Sequence, residues 1–131
     1  MAFLKNPFIE WNRDFKLLSI AVFSVGIFFG VQLTLFNNFI VEKLGIMPYE
    51  LGYVESLREV PGFLNAFFLA LMMYLPLPVV AGVSLIVMGM GVMGYARVKT
   101  VLELALFSVF WSFGFHCWIP LEQSMGLAFS P

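Results

Sequence analysis

Charge is absent from most of this chain, and its absence is what sets the elements. No Asp, Glu, Lys or Arg occurs over residues 17–41, 60–96 or 104–121. A helix needs about 20 apolar residues to cross a hydrocarbon core of about 30 Å, so the first run predicts one crossing. The middle run is too long for one. Pro76 and Pro78 interrupt it, and interior prolines delete helical hydrogen bonds. The spacing therefore predicts two antiparallel helices joined by a turn at residues 75–78, the first of them borrowing residues from Glu50 onward. Helices are expected over about 17–41, 50–75, 77–97 and 100–128, the last kinked at Pro120. The apolar stretches are continuous rather than two-fold periodic, which excludes a transmembrane β-barrel.

Composition supports that pattern. The 131 residues are 61% hydrophobic and 11% charged, with seven Lys and Arg against eight Asp and Glu. A soluble domain carries about 25% charged residues. The balance also leaves no basic surface, so nucleic acid is not an expected partner. The single cysteine, Cys117, excludes a disulfide framework and a cysteine-rich metal site. The chain reads as an all-α integral membrane protein with four transmembrane helices: a lead-in over 1–16 and a transmembrane domain over 17–131. The lead-in mixes charges of both signs with Phe3, Phe8, Trp11 and Phe15, too mixed for a signal peptide and suited to an interfacial anchor. Lys5, Arg13 and Lys16 favour a cytoplasmic N-terminus, while Lys43, Arg97 and Lys99 pull the other way.

The polar residues within these runs are the candidate chemistry. In the first helix, Ser19, Gly26, Gly30, Thr34 and Asn37 share one stripe, and Gly26 and Gly30 form a small-xxx-small pair that admits a neighbouring helix. Gln32 lies on another face; an amide in lipid is costly, so it lines a cavity or bonds another helix. The second helix carries Glu55, Arg58 and Glu59, followed at once by Pro61 and Gly62. Arg58 is placed to pair with Glu55. The three form either an interfacial charge cluster or a polar gate at the mouth of a cavity. Asn65 lies deeper. The third helix has Ser84 as its one clearly polar side chain and four glycines, and reads as peripheral and the most lipid-exposed. In the fourth, Ser108, Ser112 and His116 recur every four residues on one side. His116 is the only histidine; an imidazole exchanges protons near neutrality, and a plain interhelical hydrogen bond is the competing role. The substrate or cavity candidates are thus Gln32, Thr34, Asn37, Ser112 and His116.

Catalytic and metal chemistry find no pattern. His116 and Cys117 point about 100° apart on a helix and cannot share an ion. No phosphate-binding glycine loop, nucleophile elbow or Ser/His/acid spacing occurs. No enzyme activity and no cofactor are expected.

One stretch, PYELGYVESLREVPGFLNAFFLALM (Pro48–Met72), resembles the second helix of the major facilitator superfamily, where a loop proline and a Glu-Leu-Gly step lead into a helix with a Pro-Gly pair. WIPLEQSMGLAFSP (118–131) is similar to the end of that family's fourth helix. The charged loop that usually joins helices 2 and 3 is missing, since that position reads MMYLPLPVV, so its gating contacts do not carry over. The resemblance implies the first third of a twelve-helix fold made of inverted repeats, here an N-terminal portion of a secondary active transporter. It would move a small solute across the cytoplasmic membrane by alternating access, with the bilayer, the solute and the remaining helices as partners. It also implies that helices 1 and 4 line the cavity. The alternative is a complete four-helix membrane protein, either a dimeric multidrug exporter, though the buried Glu such exporters carry in helix 1 is lacking, or a non-transporting subunit.

Overall fold

The computed structural model describes residues 12–130, and these fold as helices without a strand: α1 (Arg13–Leu44), α2 (Pro48–Met72), α3 (Leu77–Gly94) with a 3-10 turn (Tyr95–Arg97), and α4 (Val101–Phe129). Most of the expected lead-in lies outside the described residues. Its last four residues already belong to α1, because Asn12 caps the helix by accepting from the Phe15 amide at 2.8 Å and Asp14 sits on the positive end of the first turn. Counting charges located the apolar boundary at Leu17. The capping residue located the helix start.

The other ends have equally local causes. Gly45 closes α1 in the left-handed region (φ 59°), its amide on the Val41 carbonyl at 3.0 Å. Pro48 opens α2 at a position that needs no amide, and Glu50 accepts from the Met47 amide at 2.8 Å. The α2–α3 turn occupies residues 73–76, close to its expected place. Thr100 and Glu103 form a reciprocal capping box at the start of α4, Thr100 accepting the Glu103 amide at 3.2 Å and Glu103 accepting the Thr100 amide at 3.1 Å. Both α2 and α4 run on through their interior prolines, Pro61 and Pro120.

Helix α4 is the centre of the bundle and packs on each of the other three. Its approach to α3 is close because glycine faces side chain or backbone: a Cβ on Gly114 would lie 2.4 Å from the Ser84 carbonyl oxygen, and one on Gly91 would lie 2.5 Å from the Trp111 Cβ. Helix α1 is held more loosely, largely by aromatic edges, with Phe28 5.9 Å from Trp111 and Phe29 4.6 Å from Phe115 between ring centroids. This corrects two expectations. Helix α1 is more exposed than α3: in the most apolar stretch of each, 11% of α1 is buried against 33% of α3. The α3 glycines are the cause, since they sink that helix into α4. Gly26 and Gly30 of α1, by contrast, would meet nothing within 4 Å if given a Cβ.

Three helices are long and apolar enough to cross a bilayer: Arg13–Leu44, Leu77–Arg97 and Val101–Phe129. Large apolar side chains stand exposed along them and on α2, among them Phe23, Leu33 and Phe63 at 70% or more, which suits a lipid surrounding. Helix α2 is excluded from that group by its charges, since every stretch of 18 residues within it contains Glu55, Arg58 and Glu59.

Candidate functional site

Helical spacing puts Glu55, Arg58 and Glu59 on adjoining turns of α2, and α4 brings Trp111, Ser112 and His116 against them. Arg58 Nη1 donates to Glu55 Oε1 at 2.8 Å, and its Nη2 pairs with the other oxygen of the same carboxylate. Arg58 Nε and Nη2 also reach Glu59 Oε1, at 3.3 and 3.2 Å. One guanidinium is thus shared between two carboxylates, and its carbon lies 5.7 Å from the centroid of the Trp111 ring, a favourable cation–π placement. The second oxygen of Glu59 points the other way, 3.5 Å from His116 Nε2.

The backbone makes room for this arrangement. A Cβ on Gly62 would lie 2.8 Å from His116 Cε1, so a glycine one turn beyond Arg58 is what lets the imidazole lie against α2. Ser112 Oγ, fully buried, donates to the Arg58 carbonyl, tying the helices together just before Pro61. His116 faces α2, because α4 turns its Ser112–His116 side toward the Pro61–Gly62 segment.

A second buried network adjoins the first. Trp111 Nε1 donates to the Tyr95 hydroxyl, which shares a hydrogen bond with Ser108 Oγ at 2.7 Å. Sequence reading singled out Ser108 and missed Tyr95 and Trp111. The available signal was that Trp111 lies three residues after Ser108, on the same face of α4; Tyr95 carried none, since only the 3-10 turn aims it inward.

Beside the charge cluster, between α1 and α2, is a cavity of about 300 Å³ lined by Gln32, Leu33, Phe36, Asn37, Leu51, Glu55 and Arg58. The structure thus brings Gln32 and Asn37 to the same wall as the Glu55–Arg58 pair. Thr34 stays outside it and bonds the Gly30 carbonyl at 2.7 Å. Ser112 and His116 line no part of it; they hold the far side of the cluster. The amides of Gln32 and Asn37 have no hydrogen-bond partner among the described residues. No group of three or more His, Cys, Asp or Glu able to hold a metal occurs among the described residues.

These features define an α-helical protein with three helices long and apolar enough to cross a membrane and a partly exposed charge cluster where α2 meets α4. No family model, curated protein or solved structure matches the chain.

Proposed function

We propose that this chain is a four-crossing portion of a secondary transporter of the major-facilitator type, moving a small solute across the cytoplasmic membrane with its N-terminus on the cytoplasmic side. The observation that carries the reading is the Glu55–Arg58–Glu59–His116 cluster bridging α2 and α4 beside a polar-walled cavity. In this reading α2 is the fourth crossing. Its 25 residues reach about 37 Å, and its charges lie about 10–17 Å from its N-terminal end, inside a bilayer core. An unpaired charge there costs roughly 3 kcal/mol or more. Pairing with one another and facing α4 offsets that cost and allows the helix to cross. Ionisable residues so placed mark ion and substrate pathways.

The contact between Glu59 and His116 supplies the proton-responsive element. A protonated imidazole attracts Glu59 Oε2 and competes with Arg58 for that carboxylate, changing how tightly α2 is held. The cavity wall of α1 supports further helices as partners, because Gln32 and Asn37 need water or protein opposite them in a bilayer. The second reading, a small membrane protein that works as an oligomer or subunit, is favoured by the open Gly26–Gly30 face.

Solute accumulation in cells expressing the full-length transporter that contains the chain, over a panel of small solutes and with the proton gradient intact or collapsed, tests the first reading. We expect gradient-dependent accumulation, lost in Glu59→Gln and made insensitive to pH in His116→Gln with membrane expression retained. Accumulation whose pH profile is unchanged in both variants would remove the proton element. No accumulation dependent on the chain would favour the oligomer or subunit reading.

A further inference from the structure

We infer that the cavity between α1 and α2 is a binding site for a small organic cation, an ammonium group carrying an apolar portion. The inference rests on the transporter reading and names the class of solute. Its volume, about 300 Å³, is at the lower end for small-molecule sites and suits a ligand of modest size.

The sign of the charge follows from how Arg58 is used. Of its five N–H donors, Nε, Nη1 and Nη2 are directed at Glu55 and Glu59, so little donor capacity remains for an anion. Two carboxylates share one guanidinium, which leaves these three side chains one negative charge in excess. Glu55 and Arg58 reach the cavity wall and cancel one another there, so the excess negative charge of Glu59 behind them sets the sign of the field at the cavity, which favours a cation.

The remaining wall provides the rest of a cation's requirements. The side-chain oxygens of Gln32 and Asn37, unpartnered among the described residues, can accept from ammonium hydrogens. Phe36 offers an aromatic ring, and Leu33 and Leu51 offer apolar surface. The same ammonium chemistry occurs in free amines and in the headgroup of phosphatidylethanolamine.

The test uses the whole chain purified in dodecyl maltoside, which contains no amine. Titration calorimetry compares 2-phenylethylammonium with its neutral and anionic counterparts, 2-phenylethanol and 3-phenylpropionate. We expect saturable binding of the cation, weaker binding of the alcohol and none of the carboxylate. Glu55→Gln should weaken the cation about tenfold or more, the scale of a lost hydrogen bond to a charged partner. Because that variant also disturbs Arg58, Gln32→Leu serves as the second: it leaves every ion pair intact and should still weaken the cation several-fold. Displacement by dihexanoyl phosphatidylethanolamine assigns the site to a lipid headgroup, and lack of displacement assigns it to a free amine; both support an ammonium site. Preference for the carboxylate, equal binding of cation and alcohol, or unaltered affinity in Gln32→Leu would overturn the inference. The proton response of transport is measured separately, so it stands or falls without this site.

Discussion

At the scale of the residue, the Tyr95 hydroxyl is the centre of a buried polar network. It accepts from Trp111 Nε1 and shares a hydrogen bond with Ser108, and Trp111 and Ser108 are each 3% exposed or less. Tyr95→Phe keeps the ring and leaves an indole N–H and a hydroxyl without their partner. The expected cost is about 1–3 kcal/mol, since a buried group left unpaired bears its full desolvation penalty. Chemical unfolding in detergent followed by tryptophan emission measures it, and an unchanged midpoint would contradict the network. Two other buried atoms, Asn65 Oδ1 and Trp118 Nε1, have no partner among the described residues. The Trp111 network, unlike those two atoms, is satisfied, which is why losing its centre should matter.

At the scale of the element, glycines with the same look in the sequence do different work. Gly114 and Gly91 are where α3 and α4 touch, whereas Gly26 and Gly30 of α1 face open space. Gly114→Ala must push the Ser84 carbonyl and the Met88 backbone aside, and overpacking of this kind costs about 1–3 kcal/mol. Gly26→Ala meets nothing and should change stability by less than about 0.5 kcal/mol. Paired unfolding measurements on the two variants check the contrast. Equal destabilisation by both would place a helix against α1 and so favour an oligomer through its Gly26–Gly30 face. The α1 stripe is thus a packing motif in sequence only; a neighbour is needed to make it one in space.

For the whole molecule, the decisive quantity is the number of crossings. The Asn12 side chain donates to the Phe129 carbonyl at 3.0 Å, so the start of α1 and the end of α4 share one end of the bundle. At the other end, Lys43 reaches the Ala96 carbonyl at 3.5 Å. Four crossings place both termini on one side of the membrane; three would place them on opposite sides. Cysteines at Asn12 and Ser130, probed with a membrane-impermeant maleimide in intact cells and after permeabilisation, should show the same sidedness. Cys117 is buried and should stay silent. Opposite labelling would mean that α2 lies along the membrane rather than through it, and would remove the intramembrane setting of Glu55, Arg58 and Glu59.

The runs of uncharged residues, the two prolines at the start of α3 and Pro48 were enough by themselves to determine helices and their approximate limits, while the caps at Asn12, Gly45 and Thr100 fixed the ends. These are local effects: apolar length, a missing amide, a side chain bonding a nearby backbone group. The pairing of Arg58 with Glu55 was equally legible, because residues three apart on a helix are neighbours. Which faces meet was not. Helical periodicity gives each side chain an angle about its own axis and says nothing about which helix lies at that angle. Only the tertiary structure decided that His116 turns to Glu59 rather than toward α1, that Tyr95 caps Trp111, and that α4 forms the centre while α1 lies open. Those choices depend on contacts between residues tens of positions apart, such as Gly62 with His116 and Gly91 with Trp111, where the absence of one Cβ sets how closely two helices approach.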